Sequence, residues 1–283
     1  MKQLVEWIAA YRYRSALAAM VLAVTPFLLP ASIGIVTLAV LRGSPRDGLL
    51  VSLGAVFALS ALQPLAAGAP LVAVGLATLL GRFGSLALCL QVLTLLGIAA
   101  VGIFWLSVAS PETWWLPLLE KSFVPFMQQG QAQLDNAVFL PAAARFFTGG
   151  LVALWLLILA AGLMIGRSWQ GMLAGENLLG PEFRQHRQGH AISGIAALVF
   201  IAAGLSGFAL LENLVVVLVA VFMLQGLALV HWLVRHRNLK AGWLVAVYIV
   251  LPLMLPWSAV TLAAVGFMDN WLGMRQFRGV GDA

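Results

Sequence analysis

Charge is what this sequence has least of. Of its 283 residues only 9% are charged, with 16 Lys and Arg, 10 Asp and Glu and 4 His, whereas 62% are hydrophobic and the mean hydropathy is +1.00. A soluble domain carries roughly 25% charged residues, so this chain lacks the polar surface that a globule of its length would need. The single cysteine, Cys89, excludes a disulfide framework and a CxxC pair. G-x-S-x-G, GxxxxGK[ST] and HExxH are missing too, which removes common signatures of hydrolases, P-loop ATPases and zinc peptidases. The net charge of +6 and pI near 10.2 do not point to nucleic acid, because the basic residues are scattered through short loops and form no stripe. The opening MKQLVEWIAAYRYRS lacks a short apolar core followed by a small-residue cleavage site, so no removable signal peptide is expected.

What the chain does have is long apolar runs. Leu86–Ser107, Gly149–Ile165, Ala191–Leu210 and Leu214–Val234 approach or exceed the roughly 18 apolar residues of a membrane span. Three further runs contain prolines: 16–40 has Pro26 and Pro30, 49–80 has Gln63-Pro64 and Pro70, and 244–267 has Pro252 and Pro256. Proline removes a backbone donor and clashes with the preceding turn, so each run is either a kinked helix or a hairpin. The positive-inside rule favours hairpins. With an inside N-terminus, Lys2, Arg12, Arg14, Arg42, Arg46, Arg82, Arg167, Arg184, Arg187, Arg235, Arg237, Lys240, Arg275 and Arg278 all fall inside, and only Lys121 and Arg145 outside. The expected fold is therefore all-α, a polytopic transmembrane bundle of about 8–10 membrane helices, some short or proline-broken. It forms one transmembrane domain over residues 1–283, with N-terminal helices in 1–107, an outside loop in 108–148 and C-terminal helices in 149–283. Trp114, Trp115, Phe123, Phe126 and Phe146 in that loop fit an interfacial aromatic layer, carried either by a helix over the bundle mouth or by a floating loop.

Polar residues at membrane depth are costly and so are functional candidates. Gln63, Gln91, Gln225 and His231 are the candidate ligand-binding residues. Gln225 and His231 are six apart, which turns them about 120° away from one another on a helix. A hydrogen bond to a neighbouring helix is the plainer role for His231. Glu212 and Asn213 read as turn residues, and Asp269 and Asn270 as interfacial ones. Gly166–His190 gathers seven of the thirty ionisable side chains. It reads as the largest inside loop, solvated, with Trp169 as an interfacial anchor and a short surface helix after Gly180-Pro181. His186 and His190, four apart, have zinc spacing, but the surrounding charges point to a solvated loop and no metal site is expected. Ala16, Ala19 and Ala23 form a small-residue stripe on the first span, most simply for generic helix packing.

Two stretches resemble a known family. Arg167, Trp169-Gln170 and Glu182-Phe183, together with the C-terminal pattern Gly266…Asp269-x-Trp271…Arg275, are similar to the YybS-like bacterial membrane proteins, a group mostly of unknown function. Where proteobacterial members carry R-W-W-Q, then N-P-G-G-F and E-F, this chain has Ala174-Gly175-Glu176-Asn177 in place of N-P-G-G. More loosely, the N-terminal helices and LRGSPRDG resemble the S components of energy-coupling-factor transporters and MreD-type cell-shape proteins. The S-component likeness implies a pocket for a small molecule, and an alanine stripe that docks a coupling subunit; Ala16, Ala19 and Ala23 match it. Fold-level likeness does not fix function.

The expectation is a non-enzymatic protein of the bacterial inner membrane, without catalytic residues or cofactor, in contact with lipid. It would work as a small-molecule carrier with separate ATPases and a coupling subunit, or as a scaffold of envelope or division machinery. Trp169, Gln170, Glu182, Phe183, Arg184 and Arg187 would then dock the partner.

Overall fold

Helix boundaries follow local chemistry. Ser85 accepts the Leu88 N–H at 3.2 Å and opens a helix that runs unbroken to Ser107. Ser44 and Asp47 form a reciprocal capping box around Pro45. The structure, a computed structural model, describes residues 1–129 and 136–275, and those residues form helices and their connections with no strand. In chain order they are α1 (Lys2–Ala9), α2 (Arg12–Val24), α3 (Leu29–Arg42), α4 (Pro45–Leu62), α5 (Ala69–Phe83), α6 (Leu86–Ser107), α7 (Pro111–Gln129), α8 (Asn136–Ala174), α9 (Leu179–Arg184), α10 (Gly189–Ser206), α11 (Ala209–His236), α12 (Gly242–Leu253) and α13 (Trp257–Leu272).

Among the described residues six helical stretches are long and apolar enough to cross a bilayer: Pro45–Leu62, Pro64–Phe83, Leu86–Ser107, Val138–Ala174, Gly189–Ser206 and Ala209–His236. Pro26–Arg42 and Gly242–Leu253 are shorter apolar helices. The chain is an all-α, multi-pass membrane protein. All three proline-bearing runs are broken, at Thr25–Leu28, at Gln63–Gly68 and at Met254–Pro256. Side chains hold the resulting pairs together: Ser32 Oγ donates to the Ala19 carbonyl (2.7 Å) and Ser258 Oγ to the Leu251 carbonyl (2.7 Å). Such bonds matter in lipid, where water cannot satisfy a freed carbonyl.

Glycine brings the major helices into backbone contact. A Cβ on Gly34 would strike Ile165, and one on Gly166 would strike Thr37, so α3 and α8 lie at glycine distance. A Cβ on Gly226 would meet the Leu262 carbonyl, and one on Gly266 the Phe222 carbonyl, so α11 and α13 cross there. Gly54 of α4 similarly faces the Ala16 carbonyl of α2. Ala19 and Ala23 are fully buried in the same contact. The alanine stripe is therefore covered by α3 and α4 of its own chain, which corrects its assignment as a docking face for a coupling subunit.

The segment after α6 begins with a docked helix, α7. Trp115 is buried, its Nε1–H donating to Thr148 Oγ1 at 2.8 Å, among Phe104, Leu119, Leu140 and Phe147. Trp114, Phe123 and Phe146 stay exposed as an aromatic rim. The Phe126 side chain and Arg278 lie outside the described residues.

Candidate functional site

Segment 186–189 does not stay in solvent. It turns back into the bundle and is fastened by side chains from three helices. Gln91 of α6 donates from Nε2 to the Arg187 carbonyl (2.9 Å). Thr94 Oγ1 lies 3.3 Å from Gln188 Oε1, and Gln225 Oε1 of α11 accepts the Gln188 N–H at 2.8 Å. Gln225 Oε1 also accepts from Asn270 Nδ2 of α13 (3.2 Å), whose own Oδ1 accepts the Gly189 N–H (3.2 Å). His186, Gln188, Gln225, Asp269 and Asn270 are all buried. The solvated reading of Gly166–His190 is corrected for 186–189, while Ala174–Asn177, Gln185 and His190 stay exposed. Hydropathy counts only the cost of each polar group, whereas the fold supplies its partners.

Asp269 is the centre of the charges. It is fully buried, with Arg187 Nη2 3.2 Å from Oδ1, Arg275 Nη2 3.1 Å from Oδ2, and Gln225 Nε2 donating to Oδ2 at 3.3 Å. Arg275 Nη1 donates to the Arg184 carbonyl at 2.6 Å. The expectation that Asp269 and Asn270 are interfacial is thus overturned: α13 is pressed onto α11 at Gly266, and both polar residues face inward. Burial pushes the His186 imidazole down to about 3, with repulsion from Arg275 adding to it, so His186 is neutral at ordinary pH. Burial also lowers the Arg275 guanidinium, an effect that Asp269 opposes and Arg187 reinforces.

The other expected residues distribute differently. Arg167 forms an ion pair with Glu182 and donates from Nη1 to Gln170 Oε1 at 2.7 Å. Gln170 in turn reaches the Leu41 carbonyl (3.4 Å), and Trp169 lies half-buried against Gly34. These residues tie α8 to α9 and α3, on a helix that continues to Ala174. Phe183 is buried and meets His231 edge-on at 5.4 Å. His231 pairs with the Tyr248 hydroxyl (3.0 Å) on the side of α11 turned from Gln225. Gln63 ends α4 at the helix break, where its N–H donates to the Leu59 carbonyl. Gln91 and Gln225 therefore share a site, while Gln63 and His231 do not join it. Trp271 is exposed and edges His190 at 5.6 Å. Glu212 and Asn213 are more than turn residues: Glu212 pairs with Arg145, and Asn213 is buried, accepting the Gly149 N–H at 2.6 Å.

A second feature lies between α5, α6 and α8. It is a lateral cleft of about 350 Å³ lined by Leu65, Gly68, Val72, Leu96, Ala100 and Trp155 among other apolar groups. The Trp155 Nε1–H is buried with no acceptor among the described residues. Only the fold could reveal this cleft, since its lining residues read as ordinary lipid-facing ones. Family models, curated proteins and solved structures contain no match to this chain.

Proposed function

We propose that this chain is a non-enzymatic protein of the bacterial inner membrane that binds a small, largely apolar molecule inside the bilayer, in the manner of an S component. The apolar cleft between α5, α6 and α8 carries this reading. Its volume of about 350 Å³ lies within the usual range for small-molecule pockets. Trp155 lines the cleft and offers an apolar ligand the surface of its indole ring. Separate ATPases and a coupling subunit would drive transport. Kinship with the YybS-like proteins belongs to the same proposal; the packing of Gly266, Asp269 and Arg275 into one unit supports it. A cytoplasmic N-terminus is supported by the three helix breaks, which gather the basic turns at one end of the bundle.

Purification from native membranes into nanodiscs, with mass spectrometry of copurifying molecules, tests the reading. A Cβ on Gly68 would meet open space, so Gly68→Phe fills the cleft without displacing backbone. The expected outcome is a small molecule retained by the native chain and lost from G68F. Equal recovery from both would overturn the cleft as its site.

A scaffold role has one observation of its own. No residue of α12 is buried, and the adjoining Arg235–Lys240 loop is exposed, which suits assembly in the membrane plane. Recovery of envelope proteins with an empty bundle would favour that second reading.

A further inference from the structure

We propose that Arg187, Arg275 and His186 form a binding site for a phosphate group at the basic end of the bundle, separate from the apolar cleft. The cluster holds two guanidiniums but one carboxylate, Asp269, which is wholly enclosed; the Arg275 side chain is only 8% exposed and that of Arg187 29%. Glu182, the carboxylate of the neighbouring α9, is already engaged with Arg167. A buried guanidinium without a full counter-charge is strongly disfavoured, and among the described residues this cluster holds one more cation than anion.

The donors are left over in a pattern that fits an oxyanion. Among the described residues, Arg187 Nε, Arg275 Nε and Arg275 Nη2 are buried without an aligned acceptor, as is His186 Nδ1. Arg275 Nη2 lies within ion-pair distance of Asp269 but does not point a hydrogen bond at it. Nε and Nη2 together are one edge of the guanidinium fork, the edge that takes two oxygens of a phosphate side by side. Its opposite arm is held by the Arg184 carbonyl, which fixes the plane. A neutral His186 adds a donor from Nδ1 in the tautomer that protonates that atom. Arg184, whose carbonyl takes the Arg275 hydrogen bond, also lines a basic groove of about 330 Å³ with His231, Arg235 and Asn238.

The phosphate could be free or part of a lipid headgroup, and the two are separable by experiment. The full chain in zwitterionic-lipid nanodiscs is titrated with inorganic phosphate at constant ionic strength, against chloride, with thermal unfolding as readout. A parallel series replaces part of the lipid with an anionic phospholipid. Stabilisation by inorganic phosphate assigns a soluble phosphate; stabilisation by the anionic lipid alone assigns a headgroup. In either case Arg187→Gln should weaken binding about tenfold or more, the usual loss for a charged hydrogen bond. Asp269→Asn should strengthen it, because the anion then faces two guanidiniums without competition. That opposite sign distinguishes a ligand site from a structural one, and Arg187→Gln, half-exposed, decides alone if D269N does not fold. Stabilisation by neither phosphate nor anionic lipid beyond chloride, or equal stabilisation in R187Q and the native chain, overturns the proposal.

Discussion

The two polar crossings on α11 differ in one respect, the balance of charge. Near its start, Asn213 has partners on both amide atoms: Oδ1 accepts from Gly149, and Nδ2 donates to the carbonyls of Arg145 (2.8 Å) and Ala209 (2.7 Å). Beside it Arg145 meets one carboxylate, Glu212, and the Gly207 carbonyl. Charges cancel and the amide is satisfied, as in a fastener between α8 and α11. Further along the same helix, Gln225 anchors a cluster in which two arginines face one aspartate and several donors have no acceptor among the described residues. A fastener needs no surplus, and that surplus is what the proposed phosphate site rests on.

Removing the shared anion should give the largest effect. Asp269→Ala leaves Arg275 enclosed, and Arg187 partly so, without a counter-charge, and a loss of about 3–5 kcal/mol in denaturant unfolding is expected. A loss below 1 kcal/mol would mean that water or lipid already screens the cluster. At the balanced crossing, Asn213→Ala should cost about 1–2 kcal/mol, the usual range for an interhelical hydrogen bond in a membrane bundle. If Asn213→Ala exceeded Asp269→Ala, the contrast between the crossings would be inverted.

Acid should also separate the two ends. The folded His186 titrates near 3 and an unfolded one near 6.5, so the unfolded state binds more protons between those values. Stability contributed by neutral His186 is complete above about pH 6.5 and falls as pH drops, by about 1.4 kcal/mol per unit, towards pH 3. Unfolding midpoints measured from pH 7 to 5 should fall in the native chain and level off in His186→Gln. An identical slope in both would assign the acid sensitivity elsewhere. The smallest effect is expected for Glu212→Gln, whose partner Arg145 meets water and is screened; its melting temperature should stay close to that of the native chain.

Much of the fold was legible from residue chemistry alone. α6 begins and ends where its hydropathy does, and each proline run breaks where a proline removes a donor. The candidate site was only half legible. Gln91, Gln225, Arg187, Asp269 and Arg275 were each conspicuous as polar residues in or beside apolar runs, but their convergence links positions 37 to 96 residues apart. The alanine stripe misled for the same reason: a small-residue face shows that something packs closely, and not whether that partner lies in the same chain. His186 drew notice only for its spacing from His190, and its burial had no signal, because a histidine in a charged stretch reads as solvated.

Composition and periodicity by themselves determined that this chain is a helical membrane protein, where its helices break, and which few polar residues it carries through the bilayer. Those outcomes are local, set by transfer to lipid and by each residue's backbone preference. Tertiary structure alone decided that segment 186–189 folds inward, that α13 closes on α11 through Gly266, and that two arginines share one aspartate. Pairing of buried charge depends on distance across the fold, and distance is not written in any single segment.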